Sequence, residues 1–134
     1  VFANVKAAIG PSYALLGNAA EFLDPVFSSG VTIAMKSAVL ASDLVDRQFR
    51  NKPVDWEKEF VEELRVGVEA FRACVSAWYD GSLQRIIFDR PMGEKTVTQQ
   101  LTSVLAGYAW DRTNPLVREP TRFLRVVDEL CAQR

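Results

Sequence analysis

The chain has 134 residues, of which 49% are apolar and 25% charged; that is enough for one domain with a real core and unlike a disordered composition. The net charge of −1 and an isoelectric point near 5.5 carry no basic surplus for nucleic acid, and no apolar run reaches the roughly 18 residues of a membrane span. There is no histidine, which removes Ser-His and Cys-His nucleophilic chemistry and leaves carboxylates, a lysine or a borrowed cofactor. Cys74 and Cys131 stand alone, so we expect reduced thiols in a cytoplasmic protein and no zinc site. Val1-Phe2-Ala3-Asn4 opens the chain without the charged and apolar segments of a signal peptide. An opening inside ordinary sequence suggests a piece of a longer protein.

Taken in order, Tyr13-Ala14-Leu15-Leu16 reads as a brief strand or its remnant, ended by Gly17. Asp24-Pro25 marks a turn or helix start, because a residue before proline avoids the helical region. Ser28-Ser29-Gly30 then caps a helix expected over about 31–50. Its apolar residues lie nearly all round, which is the pattern of a helix in the middle of something. Lys36, Ser37, Ser42 and Asp43 interrupt it, and Asn51-Lys52-Pro53 ends it. Asp55 caps a long amphipathic helix from Trp56 to about Tyr79. Its stripe runs through Trp56, Phe60, Leu64, Val68, Phe71, Val75 and Trp78, and Asp80-Gly81 stops it. Residues 82–88 are a short helix or strand, and Arg90-Pro91-Met92-Gly93 a turn. Thr96-x-x-Gln99 is a capping box opening a helix to about Trp110. Thr113-Asn114-Pro115 breaks the chain, and Pro120 leads the last helix, to Ala132. The expected fold is mostly α: four substantial helices and one or two fragments in a single unit over 1–134, with at most a remnant strand near 13–16.

The segment from Leu15 to Val31 carries the chemistry. Gly17 lies among small residues, and Ser28-Ser29-Gly30 lies where unpaired N–H groups and the helix dipole favour an anion or electron-rich atom. An ordinary turn and cap explain both as well. The stretch Gly17-Asn18-Ala19-Ala20, then Asp24-Pro25, then Ser28-Ser29-Gly30 resembles the third FAD-binding motif of FAD-dependent halogenases and related flavin monooxygenases. That motif occupies 13–31, and the helical C-terminal region follows over 31–134. Ala77-Trp78-Tyr79-Asp80-Gly81 and the stretch from Leu105 to Pro115 are similar to that group's C-terminal region.

The resemblance implies a largely helical C-terminal piece of a two-part FAD enzyme. Gly17 and Asn18 would lie at the FAD pyrophosphate and ribityl chain with Ala19 beside them. Pro25 would lie near the isoalloxazine ring. Ser29, Gly30 and Val31 would turn main-chain N–H groups toward the pyrimidine edge of the ring, and Ser29 and Gly30 would also bind halide. Two departures matter. Asn18 stands where the family has an acid, losing charge-assisted strength. Phe27 stands where tryptophan halogenases have glutamate, which is nearer the phenol- and pyrrole-directed halogenases or the wider reductase and hydroxylase relatives. The Gly-x-Gly-x-x-Gly phosphate cradle, the catalytic lysine and the Trp-x-Trp-x-Ile-Pro motif are not in the chain. No catalytic residue is assigned, and Lys6, Lys36, Lys52, Lys58 and Lys95 read as solvated.

The expected partners are therefore the FAD-holding part of the polypeptide, an organic substrate and, for a halogenase, halide. Phe27, Tyr108 and Trp110 are weak substrate-pocket candidates, although core packing suits the tryptophans better. Self-association through an exposed apolar face of the 31–45 helix is also expected. The rival readings are a flavin hydroxylase or isoprenoid reductase, and a stand-alone helical interaction domain without catalysis.

Overall fold

The structure is a computed structural model that describes residues 2–88 and 95–132. The Arg90–Gly93 turn and the Lys95 side chain lie outside what it describes. The chain forms two compact units, Val1–Val68 and Glu69–Arg134.

In the first unit β1 (Phe2–Asn4) pairs antiparallel with β4 (Glu21–Leu23), Phe2 opposite Leu23. Inside that pair lies a tight hairpin of β2 (Ile9–Gly10) and β3 (Tyr13–Ala14), turned by Pro11 and Ser12. The strand expected at 13–16 is thus two residues long. Among the described residues there are four short strands rather than one remnant. Strands of two or three residues are too short to display alternation, and the β1–β4 pairing is non-local, so neither left a local signal.

The helix α1 (Ser29–Phe49) starts earlier than expected and takes Ser29 and Gly30 into its first turn. Ile33, Ser37, Ala41 and Leu44 form its buried stripe, at the steps of three and four that one helix face requires. Its end is a Schellman turn. Asn51 is left-handed with φ 55°, and the N–H of Lys52 returns to the Arg47 carbonyl at 2.9 Å.

Asp55 caps the next helix as expected, accepting from the Lys58 N–H at 3.0 Å, while Glu59 accepts from the Asp55 N–H at 2.8 Å. The helix opens with a wide π turn, Glu57–Glu62, before α2 (Glu63–Tyr79). The apolar spacing gives the reason. Trp56, Phe60, Leu64 and Val68 are each four apart, which drifts round a helix of 3.6 residues per turn. A wider turn realigns them, and Phe60, Leu64 and Val68 are buried. Lys36, read as solvated, is half-buried and pairs with Glu63 at 3.8 Å.

The unit boundary falls within α2. The second unit contains α3 (Ser82–Phe88), α4 (Lys95–Leu105), α5 (Pro115–Arg118) and α6 (Pro120–Ala132). Thr96 lies inside α4, so the capping box does not stand at the helix start. That helix ends at Leu105, short of Trp110, because Gly107 takes φ 103°. The N–H of Tyr108 then returns to the Ser103 carbonyl at 3.0 Å. The expected break at Asn114-Pro115 is itself a short helix. Asn114 accepts from the Leu116 N–H at 3.0 Å and donates to the Gln100 carbonyl at 2.9 Å.

Two aspartates after helix ends repeat one device. Asp80 accepts the Ser82 N–H and hydroxyl at 2.8 and 2.6 Å, and Asp111 those of Thr113 at 2.9 and 2.6 Å. The hydroxyl bonds first, then the amide bonds, hold both carboxyls below the ordinary range. Among the described residues no helix is long and apolar enough to cross a membrane.

Candidate functional site

The first unit brings the two halves of the Gly17–Gly30 stretch together. Gly17 opens a 3-10 turn, Gly17–Ala19, with φ 53°, a conformation that costs an L side chain about 1–2 kcal/mol. A Cβ there would stand 3.0 Å from the Ala34 Cβ, so glycine lets this turn lie directly on α1. The Gly17 N–H donates to the buried Ser37 hydroxyl at 3.0 Å, and that hydroxyl donates to the Ala34 carbonyl at 2.8 Å. Ser37 is a positioning residue that sequence reasoning took for a mere interruption of an apolar run. Its partner lies 20 residues away, so no local motif could have announced it.

Asn18 lies on the surface, with its Oδ1 only 3.4 Å from where a Gly30 side chain would begin. The Asn18 side chain thus lies beside Gly30 at the start of α1. Pro25–Phe27 form a second 3-10 turn with proline first. Ser28 follows with φ 53° and ψ 29°, and its N–H donates to the Pro25 carbonyl at 3.1 Å. The expected serine cap is absent. Ser28 holds the cap position but makes no side-chain bond to the helix, because a left-handed cap residue departs from the extended backbone from which a serine reaches back. A left-handed residue running into a right-handed helix instead turns successive N–H groups toward one concavity, which suits an anion.

Ser29 is 2% exposed, and its Oγ has no hydrogen-bond partner. A buried hydroxyl left unsatisfied costs roughly 1–3 kcal/mol, so this one is a feature needing a reason. Ala19, Pro25 and Val31 are exposed, and Phe27 is half-buried. From Pro25 to Met35 no side chain is ionisable. The turn can therefore donate hydrogen bonds but cannot act as an acid or base at neutral pH.

The three weak pocket candidates fall in different units, Phe27 in the first and Tyr108 and Trp110 in the second. Trp110 packs edge-on against Phe71, ring centres 6.4 Å apart, as a core residue does. Tyr108 is exposed in the turn after α4. Two concavities lie away from the Ser28–Gly30 turn. One, of about 920 Å³ in the first unit, is walled by Tyr13, Leu16, Val45, Phe49 and Trp56. The other, of about 430 Å³, lies among α2, α3 and α6 of the second unit, where Arg85 forks onto Asp128 at 2.8 and 2.9 Å. Among the described residues no three His, Cys, Asp or Glu side chains gather as metal ligands.

The chain is 33% identical over 79 residues to a 1H-pyrrole-2-carbonyl-[peptidyl-carrier protein] chlorinase of Pseudomonas fluorescens, covering 56% of this chain and 17% of that one. A flavin-dependent halogenase of Armillaria mellea is 32% identical over 44% of this chain and 11% of its own length. A 1H-pyrrole-2-carbonyl-[peptidyl-carrier protein] brominase of Pseudoalteromonas luteoviolacea is 34% identical over 42% and 13%. The chain is a relative of the flavin-dependent halogenases. A solved flavoprotein/dehydrogenase from Cytophaga hutchinsonii carries the same fold, with a TM-score of 0.92 and 37% identity over 97% of this chain. The halogenase-like chain thus spans only 32% of that flavoprotein and no more than 17% of the curated relatives. No protein-family model matches it.

Proposed function

We propose that this chain is the C-terminal portion of a flavin-dependent oxidoreductase of halogenase type, and that the start of α1 holds the ring end of FAD. The buried, partnerless Ser29 hydroxyl carries this reading. It stands at an uncapped helix start, beside a surface where Asn18 meets Gly30, and such a start favours negative charge. The residues present fit the group. Gly17 and Asn18, with Ala19 beside them, would receive the pyrophosphate and ribityl chain, and Pro25 the ring. The main-chain N–H groups of Gly30 and Val31 would face the electron-rich pyrimidine edge, and the Ser29 hydroxyl would donate to halide or to that edge. When bound, reduced FAD supplies the reaction with O2 that oxidises halide or hydroxylates an organic substrate. The protein's share is the main-chain donors of the turn, which carries no ionisable side chain from Pro25 to Met35. By itself the chain is expected to be inactive.

Two relatives are, by name, a chlorinase and a brominase of a pyrrolyl group on a carrier protein. A carrier-bound aromatic acyl group is therefore the first substrate to try. The flavoprotein/dehydrogenase name of the structural neighbour supports a second reading, flavin hydroxylation or reduction without halide. The test is to express the longer reading frame, scan its absorbance for flavin and look for bromide-dependent mass gain in the product. Bound flavin with brominated product supports the halogenase; bound flavin with bromide-independent product moves the reading to the hydroxylase or reductase. A colourless protein that takes up no FAD leaves only the helical interaction domain.

A further inference from the structure

The Gly17 turn uses most of its main-chain donors internally. The Gly17 N–H goes to the Ser37 hydroxyl at 3.0 Å, and those of Ala19 and Ala20 return to the Leu16 and Gly17 carbonyls at 3.1 Å. Among the described residues nothing engages the Asn18 N–H, and Asn18 lies on the surface. Its side-chain oxygen stands 3.4 Å from where a Gly30 side chain would begin. There the 21-residue helix α1 starts without a side-chain cap, beside the buried, partnerless Ser29 hydroxyl. The first N–H groups of a helix lack intrahelical partners and carry the positive end of its dipole. Asn18 thus joins the open donor of one turn to the positive start of the other.

The surroundings are neutral. From Ala14 to Ala20 and from Pro25 to Met35 no side chain is charged. An acid at position 18 would be the one charge in both segments, in van der Waals reach of Gly30. It would oppose any anion drawn to the same N–H groups.

We propose that Asn18 sets the anion preference of this site: its neutral amide leaves the start of α1 to an anion, bromide or the reduced ring, that an aspartate there would repel. The inference rests on the reading that α1 meets the ring end of FAD. Aspartate would bond a ribityl hydroxyl more strongly than the amide does while tolerating negative charge worse. One substitution therefore acts with opposite sign on two ligands, which general damage to the fold does not do.

The test uses the longer polypeptide. Asn18→Asp should tighten oxidised FAD by about 3-fold. It should weaken bromide, read from the shift it causes in the flavin spectrum, on the order of 10-fold, the effect of a unit charge a few ångströms away at a part-exposed site. Anaerobic titration of the reduced ring forms a separate arm: the variant should hold the ring's proton to a pH higher by about one unit. Asn18→Ala adds no charge, so it should weaken FAD and leave bromide affinity unchanged. A bromide effect alone makes halide the anion, a ring effect alone makes it the flavin, and both together make one shared place; each supports the proposal. Asn18→Asp that binds FAD with both titrations as in the parent overturns it and leaves the flavin reading standing. So does Asn18→Ala weakening bromide as much as Asn18→Asp, or loss of FAD by Asn18→Asp alone. A parent protein that takes up no FAD removes the flavin reading and this inference with it.

Discussion

Two serines on the buried face of α1 answer to different masters. Ser37 satisfies the Gly17 amide and the Ala34 carbonyl, so Ser37→Ala strands a buried N–H and should cost about 1–3 kcal/mol. The Ser29 hydroxyl satisfies nothing within the chain, so Ser29→Ala should be neutral or stabilising by up to about 1 kcal/mol, its loss showing only in flavin or halide affinity of the longer protein. Urea denaturation of the two variants side by side checks this, and equal destabilisation would refute it. Gly17→Ala, forced into the left-handed region against Ala34, should cost on the order of 2 kcal/mol. Burial pushes the Cys74 thiol from its ordinary 9.0 up to about 12. Because the folded value is the higher one, its contribution to stability is whole below pH 9 and is lost as pH rises toward 12. Ellman's reagent at pH 8 should therefore titrate Cys131 and reach Cys74 only on unfolding; fast reaction of both thiols in the folded chain would contradict the burial. Gly17 and Ser29 could be picked out from the sequence because a motif surrounds them. Ser37 could not, since what makes it matter is a turn brought alongside by folding.

Helix ends decide most of what the chain's secondary structure shares with its sequence pattern. Asn51 and the Asp55 cap stop and start helices where expected, because each acts on its own neighbours within a few residues. The helix expected to reach Trp110 stops at Leu105, since Gly107 adopts a left-handed turn that apolar periodicity alone does not predict. The π turn of Glu57–Glu62 was encoded too, in three successive four-residue steps, but a stripe counted in threes and fours hides it. α5 is only four residues long, too short for any period; it buries Leu116 and Val117 and starts from the buried Asn114. Asn114 caps it and also ties it to the Gln100 carbonyl in the middle of α4. Asn114→Ala removes both bonds, and loss of the cap alone costs roughly 0.5–2 kcal/mol. The expected result is a melting temperature lowered by more than a surface cap would explain, with Asn114→Asp intermediate because it restores acceptance from Leu116 but not donation to Gln100. An unchanged melting temperature for Asn114→Ala would remove the residue's structural role.

At the scale of the whole molecule, the helical class was legible in periodicity, and the flavin relationship in seventeen residues around two turns. Neither periodicity nor motif could say what Val31, Met35 and Val39, exposed along α1, are for, because neither pattern carries information about groups outside the elements present. The consequence is thermodynamic. A ligand stabilises a protein only through sites present in the native state, by about 2.7 kcal/mol at 100 times its dissociation constant. The 134-residue chain has the donors at the start of α1 but no glycine-rich phosphate cradle, so FAD should leave its melting temperature unmoved at concentrations that saturate flavoproteins. The longer polypeptide should gain stability as FAD rises, and Ser29→Ala should shift that titration to higher FAD without lowering the flavin-free melting temperature. These three curves form one argument. If the short chain alone is stabilised by stoichiometric FAD, its own surface holds most of the cofactor and the division of labour drawn from α1 is wrong. If neither protein responds, the buried hydroxyl of Ser29 answers to some other group.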